Sequence, residues 1–469
     1  MSVNFQEEES YSLVNTENMQ NQSLFSISWP LFIELALHMA MGILATLMLG
    51  RYSDLAAAGV GVANQLMSIF ILVFNVSAIG AMILIGQRIG AQRLDQARQL
   101  SRSAFGLNFW FGILVSLVVI IFGKNLLGLF NIDGEVFQYA LLFLRIVGFS
   151  LFLESISLLL SAILRSHGRT KEPMYVSLFM NIISTVGFYI SIYGIFNLPI
   201  TGVTGVSWTM IIARGFAVIA LLIIVTKELA LHFHIHDLFH INVKDMKNLF
   251  HIGIPSAGEN LSYHFSQLVV TGIITSLGDA SLVARVYLTN ITMLCFLFSV
   301  AIGEGTQLMV ARYIGGGHFD KALKRGIKTV KIAVFSSTAV SLSFIFMGES
   351  LLELFTSDVA ILTVALPVLW GIAFVEPGRA INIVLMSSLK SAGDVRFPVI
   401  IGIISMWIFT VGFGYLLGIT FGLGLLGIWI AQGIDEWFRA IFAIRRWHSR
   451  AWERKYTHQT QIHDPAHLT

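Results

Sequence analysis

Apolar residues run along this chain in long stretches that do not alternate with polar ones, and short segments rich in Gly, Arg and Lys separate them. A helix needs roughly 20 mainly apolar residues to cross the hydrocarbon core of a bilayer. Twelve stretches reach that length, near residues 25–49, 56–86, 103–122, 136–163, 175–196, 202–226, 249–275, 281–311, 328–347, 360–388, 398–418 and 423–443. A membrane β-barrel would show period-two alternation, which these stretches lack. The pattern therefore predicts an all-α integral membrane protein with twelve transmembrane helices.

Composition agrees. Charged residues make up 12% of the chain and hydrophobic residues 55%, whereas about 25% of a soluble protein is charged. The net charge of +3 is too weak to point to a nucleic-acid partner. The one cysteine, Cys295, lies in an apolar stretch, so no intrachain disulfide forms, and a small buried side chain is its plain reading. The basic residues are placed unevenly. Every second loop and the C-terminal tail together hold 23 of the 30 Lys and Arg, while the opposite loops hold only Arg51 and Lys124. Basic loops stay in the cytoplasm, so both termini are expected there, in an inner (plasma) membrane. Residues 1–24, with Glu7, Glu8 and Glu9 and no basic residue, are expected to be a cytoplasmic tail rather than a signal peptide.

The chain also repeats itself. At a constant offset of 225, Pro30 matches Pro255, Glu34 matches Glu259, Asp54 matches Asp279, and Ile89-Gly90 matches Ile314-Gly315. Leu164, Ser166, Gly168 and Pro173 match Leu389, Ser391, Gly393 and Pro398, and Thr185-Val186-Gly187-Phe188 recurs as Thr410-Val411-Gly412-Phe413. In the sixth span the offset becomes 222, where Gly202 and Gly205 match Gly424 and Gly427. Six spans per copy insert both copies the same way round, a parallel repeat of the kind transporters use. The expected organisation is an N-lobe over 25–226, a cytoplasmic linker over 227–248, a C-lobe over 249–443 and a cytoplasmic tail over 444–469.

Gly86-Gln87-Arg88-Ile89-Gly90-Ala91-Gln92, Leu164-Arg165-Ser166-His167-Gly168 before Pro173, and Asn181, with their second copies, resemble the motifs of multidrug and toxic compound extrusion (MATE) transporters over about residues 25–443. The resemblance implies a V-shaped fold of two six-helix lobes around a central cavity. It implies export of amphipathic or cationic small molecules in exchange for protons or sodium ions, by a monomer in the lipid bilayer with no cofactor and no obligate protein partner. Three carboxylate positions of the family are altered here: they hold Ala45, Thr185 and Tyr263. The coupling ion therefore does not carry over. Protons are the favoured expectation and sodium the alternative. A lipid or lipid-linked sugar flippase of a related fold stays open, with Arg145 and Arg214 as its support.

A carboxylate at the bilayer centre costs roughly 2.5–3.5 kcal/mol and is a functional candidate by default. Glu34 lies about nine residues into its span, roughly 14 Å deep, four residues after Pro30, and Glu259 stands in the same relation to Pro255. Proline removes a backbone donor and opens the helix at that level. One turn on, His38 shares a face with Glu34, and Tyr263 with Glu259. Ion or proton binding is one reading of these carboxylates, and a polar lock between helices is the other. Asn181 offers either a ligand oxygen or a helix–helix hydrogen bond. Glu154, Arg145 and Arg214 read as a charge-compensated cluster, and Glu376 with Arg379 and Asp435 with Arg439 as same-helix pairs. Arg285 is expected to snorkel to the outer surface, and Trp447 and Trp452 to anchor the tail at the interface. His232, His234, His236 and His240 of the linker read as packing before they read as a metal site. There is no G-x-x-x-x-G-K-[ST] loop to suggest ATP hydrolysis, and no catalytic motif suggests an enzyme.

Overall fold

A computed structural model describes residues 23–130, 132–194, 199–239 and 242–463, with side chains described as far as 457. No strand occurs among the described residues. The helices are α1 (Leu24–Tyr52), α2 (Asp54–Gly90), α3 (Leu94–Gly128), α4 (Gly134–Phe149), α5 (Leu151–Ser166), α6 (Lys171–Tyr193) and α7 (Gly202–Leu229). They continue with α8 (Val243–Thr275), α9 (Asp279–Gly315), α10 (Phe319–Phe346), α11 (Gly348–Glu353), α12 (Val359–Ser391), α13 (Arg396–Ser405), α14 (Gly424–His448) and α15 (Ala451–His463). Among the described residues nine helical segments are long and apolar enough to cross a membrane, and α4 with α5, bent by 51°, make a tenth. Two further long helices, α8 and α14, carry more charge because Lys244, Asp245, Lys247 and Glu259 lie on one and Asp435, Glu436 and Arg439 on the other.

The repeated motifs turn out to be helix stops. Gly168 after α5 has φ +79°, and Gly393 after α12 has φ +78°. In each case the next amide reaches back five residues: Arg169 donates to the Leu164 carbonyl at 3.0 Å, and Asp394 to the Leu389 carbonyl at 3.0 Å. The ends of α2 and α9 repeat the device. Gln92 (φ +60°) and Gly317 (φ +71°) take the left-handed position, and Arg93 and His318 donate to Arg88 and Tyr313 at 2.9 and 2.8 Å. This six-to-one closure satisfies carbonyls that a helix end otherwise leaves unpaired. A Cβ in the left-handed region costs about 1–2 kcal/mol, which accounts for glycine at three of the four stops. The stops also set which residue occupies the last helical turn, and three residues before Gly168 and Gly393 those residues are Arg165 and Lys390.

The chain divides into two compact units, Trp29–Gly253 and Ile254 onward, the latter joined by Ser23–Ser28, with the boundary inside α8. The first unit packs one core around Leu49, Phe74, Val119 and Leu144 and another around Ile85, Leu100, Leu159 and Val225. The second packs one core around Val270, Leu288, Val368 and Ile428 and another around Ile314, Leu389, Trp447 and Trp452. That last cluster corrects the expectation for the two tryptophans. They are fully buried and stacked at 4.6 Å, and the Trp452 indole donates to the Trp447 carbonyl at 3.0 Å. A left-handed turn at Arg450 folds α15 back, so the described part of the expected tail belongs to the second unit's core. The two Thr-Val-Gly-Phe copies differ in geometry. The first is α-helical within α6, and the second lies in a π-helical run, Met406–Phe413, that continues α13.

In the linker, Leu231 is buried and Phe233 stacks on Phe105 at 4.3 Å, while His232, His234 and His236 face outward. His240 lies outside the described residues. Among the described residues no three His, Cys, Asp or Glu side chains converge as a metal site.

The stops yield a prediction. Gly168→Ala should lower the thermal unfolding temperature of the purified protein, with a loss of about 1–2 kcal/mol. Gln92→Gly, which relieves the one non-glycine stop, should not lower it.

Candidate functional site

In the first unit, Glu34 meets a partner that depth along its own helix does not reveal. Pro30 is inside α1, and one turn later the Glu34 carboxylate is buried, with 5% of its surface exposed. Arg165, in the last turn of α5, binds Oε1 at 2.7 Å. The other oxygen, Oε2, is buried and accepts no hydrogen bond from the protein. Arg165 stands at the basic end of the bundle, so the pair places Glu34 nearer that end than the mid-bilayer depth expected from counting residues. A second pair lies deeper. Arg214 on α7 binds Glu154 on α5 at 2.9 Å and donates to the Ser150 hydroxyl at 2.9 Å, where α4 and α5 bend. Arg145, read with these two residues, instead lies exposed on α4. His38 and Glu154 border a small pocket together with Glu34.

Next to this charged set is an apolar one. A groove of about 310 Å³ runs between α1 and α6, bordered by Leu37, Met41, Leu44, Leu178, Ile182 and Asn181. Asn181 is buried, and neither atom of its amide finds a partner in the protein. Thr185, one turn on, donates to the Asn181 carbonyl at 2.8 Å. A buried amide without a partner is destabilising by about 1–3 kcal/mol.

The second unit repeats the first pair. Lys390, in the last turn of α12, binds Oε2 of Glu259 at 2.7 Å. Glu34 to Glu259 and Arg165 to Lys390 are both steps of 225 residues, so the repeat conserves a carboxylate–cation contact and not merely two residue types. Gly402 gives Glu259 its space, since a Cβ there would stand 3.0 Å from Oε1. Tyr263 is exposed at 46% and does not close over the pair. A separate network holds Glu376. Arg379 binds Glu376 at 2.6 Å and Glu436 at 3.3 Å, and the Asn382 amide donates to Glu436 at 2.7 Å. Arg439 pairs with Asp435, and the Thr410 hydroxyl donates to Asp435 at 3.0 Å. Arg285 is half-buried and donates to Gln267 at 2.9 Å rather than extending to the outer surface.

Among the candidates from sequence, Glu34, His38 and Glu154 gather at one pocket, Arg214 joins through Glu154, and Asn181 borders the neighbouring groove. Glu259, Tyr263 and Glu376 belong to the second unit, where Tyr263 and Glu376 both act electrostatically on Arg379, and Glu259 on Arg439. Sequence reasoning passed over Arg165, Lys390, Glu436 and Asn382 as site residues. For the first two a signal existed, because a basic residue recurs at the offset that relates the two glutamates.

Two helical bundles, each with a carboxylate paired to a base on a proline-containing helix, together with the long apolar spans, define a multi-pass membrane protein. A sequence profile described as MatE matches residues 30–190 and again 255–416, starting at the two prolines. The chain belongs to the MatE family, and is therefore a transporter rather than an enzyme. It is 40% identical over 433 residues to an uncharacterized transporter, YisQ, of Bacillus subtilis strain 168, covering 92% of this chain and 95% of that protein. It is 26% identical over 437 residues to a probable multidrug resistance protein NorM of Thermotoga maritima, covering 92% and 93%. Among solved structures it superposes with a TM-score of 0.85 on a MATE protein in the straight conformation, at 17% identity over 94% of this chain and 98% of that one. A transporter of the MOP superfamily from Pyrococcus furiosus superposes with a TM-score of 0.83 at 18% identity, covering 92% and 97%.

Breaking the first pair leaves a buried charge uncompensated. Arg165→Ala should destabilise the protein by about 3 kcal/mol, and adding Glu34→Gln to it should restore part of the loss, read by thermal unfolding. Lys390→Ala should be milder, because Glu259 is the more exposed of the two glutamates.

Proposed function

We propose that this chain exports amphipathic or cationic small molecules across the plasma (inner) membrane in exchange for protons, working as a monomer with both termini in the cytoplasm. The observation that carries this reading is Glu34, a buried carboxylate with one oxygen held by Arg165 and the other without a protein partner. The free oxygen is where a proton adds. Once it has added, the carboxyl no longer holds Arg165 by charge, and the guanidinium, 20% exposed, is released toward water at the basic end. Loading and unloading Glu34 thus makes and breaks a contact between α1 and α5. A sodium ion at the same oxygen would sit beside a guanidinium that already occupies the cation's place, a repulsion made worse by a low-dielectric interior.

The groove on α1 and α6 supports the substrate class. Its volume of about 310 Å³ is within the range of small-molecule sites, and it offers apolar side chains with one buried amide, Asn181, as a polar anchor. Relatives from Thermotoga maritima and Bacillus subtilis are described as probable multidrug resistance proteins, which agrees with this class. A lipid-headgroup flippase is less well supported, since Arg214 is neutralised by Glu154.

In liposomes containing the purified protein, a pH gradient without sodium should drive uptake of a cationic dye, and a sodium gradient at equal pH should not. Glu34→Gln should abolish accumulation against a gradient at equal protein content. Accumulation driven by sodium alone would contradict proton coupling. For topology, Cys295 is buried and so provides a silent background. Cysteines placed at the exposed positions Gln96 and Lys321 should resist a membrane-impermeant thiol reagent in intact cells. Labelling of both from outside would invert the assigned orientation.

A further inference from the structure

Inside the first unit, a pocket of about 20 Å³ lies between α1, α5, α6 and α7. A water needs about 10–15 Å³ of such space and two to four polar partners. Glu34, His38, Glu154, Ser157, Ser161 and Ser177 border the pocket and supply those partners. Helical spacing puts Glu154, Ser157 and Ser161 on one face of α5, and Glu34 and His38 on one face of α1. Glu34 is 5% exposed, and its Oε2 has no protein partner. The charged groups facing the pocket or bound to its carboxylates are Arg165 on Glu34 and Arg214 on Glu154, so two carboxylates meet two guanidiniums, with His38 as the remaining titratable group.

We infer that one water in this pocket carries a proton from Glu154 to Glu34, making Glu154 the inner station of the coupling path. The inference rests on the reading of Glu34 as the proton-loading carboxylate. The positions give the path a direction. Glu154 and Arg165 are on the same helix, eleven residues and about 16 Å apart, and Arg165 is at the basic end. A proton that reaches Glu154 from the opposite side of the membrane is given to the water as the water gives one of its own to Glu34 Oε2. The water is regenerated, Glu154 is left as a carboxylate held by Arg214, and Glu34 becomes a neutral acid that releases Arg165. Loss of the proton to water at the basic end restores the Glu34–Arg165 pair. One proton has then crossed for each turn of the exchange cycle, with no net change in the protein. Ser150 at the bend of α4 and α5 holds Arg214, so the inner station is built at the one break in this span.

The test uses the full-length protein in liposomes loaded with a pH-sensitive dye, with a substrate gradient driving proton movement. Substrate-for-substrate exchange, which moves no net proton, reports folding and binding. Ser161 is 8% exposed, so Ser161→Val adds its extra methyl to the pocket and excludes the water. Ser161→Val should keep exchange and slow substrate-driven proton movement at least tenfold, and Glu154→Gln combined with Arg214→Gln, which leaves no buried charge unmatched, should do the same. Proton movement at the wild-type rate in both variants would overturn the relay. If Ser161→Val loses exchange, Ser157→Val decides by the same comparison, since it fills the pocket from the neighbouring turn of α5. Glu34→Gln separates the two levels. If it blocks uphill transport while the pocket variants behave as wild type, the relay alone fails. If it leaves uphill transport intact, the reading of Glu34 fails and the relay with it.

Discussion

A carboxylate inside a helical bundle surrounded by lipid has to be matched by a cation, and that requirement organises both halves of this protein. Leaving such a charge unmatched is costly in a medium without water. The sequence meets the requirement with a helix stop. A glycine in the left-handed region ends the helix three residues after a basic side chain, and that side chain, fixed in the last turn, reaches back to the glutamate one turn past a proline. Arg165 with Glu34 and Lys390 with Glu259 are the two products. The motif residues that mark the family are therefore, at least in part, the scaffold of an ion pair.

The two products are not equivalent, and the differences are chemical. Arg165 presents a planar guanidinium with several donors, whereas Lys390 presents a compact ammonium. Glu34 has an oxygen with no protein partner beside a polar pocket, and Glu259 lies against Gly402 in a more open setting. The same repeat that set two pairs at one spacing has thus left them in different surroundings. The second half departs further beyond α13, where the repeated Thr-Val-Gly-Phe becomes π-helical and Thr410 bonds Asp435.

The fold was largely legible because its causes are local or periodic. Span length, loop charge and the constant offset fix twelve long helices in two related bundles. The site was legible only in part. Glu34, His38, Glu154 and Asn181 stood out as polar residues within apolar stretches. Arg165 and Lys390 did not, because a basic residue at a span's end reads as a loop charge, and only the fold shows that its long side chain turns inward. Trp447 and Trp452 misled for a related reason. Tryptophan among arginines resembles an interface anchor, and the turn at Arg450 that buries both rings is a three-dimensional fact. Glu436 and Asn382 are 54 residues apart and meet only through packing.

The central claim is that Glu34 carries the proton exchanged for substrate. It is tested most directly by counting protons released into weakly buffered solution when a cationic dye binds the purified, detergent-solubilised protein. The account predicts release from the wild type, and no release from Glu34→Gln with dye binding retained. Equal release from wild type and Glu34→Gln would contradict it.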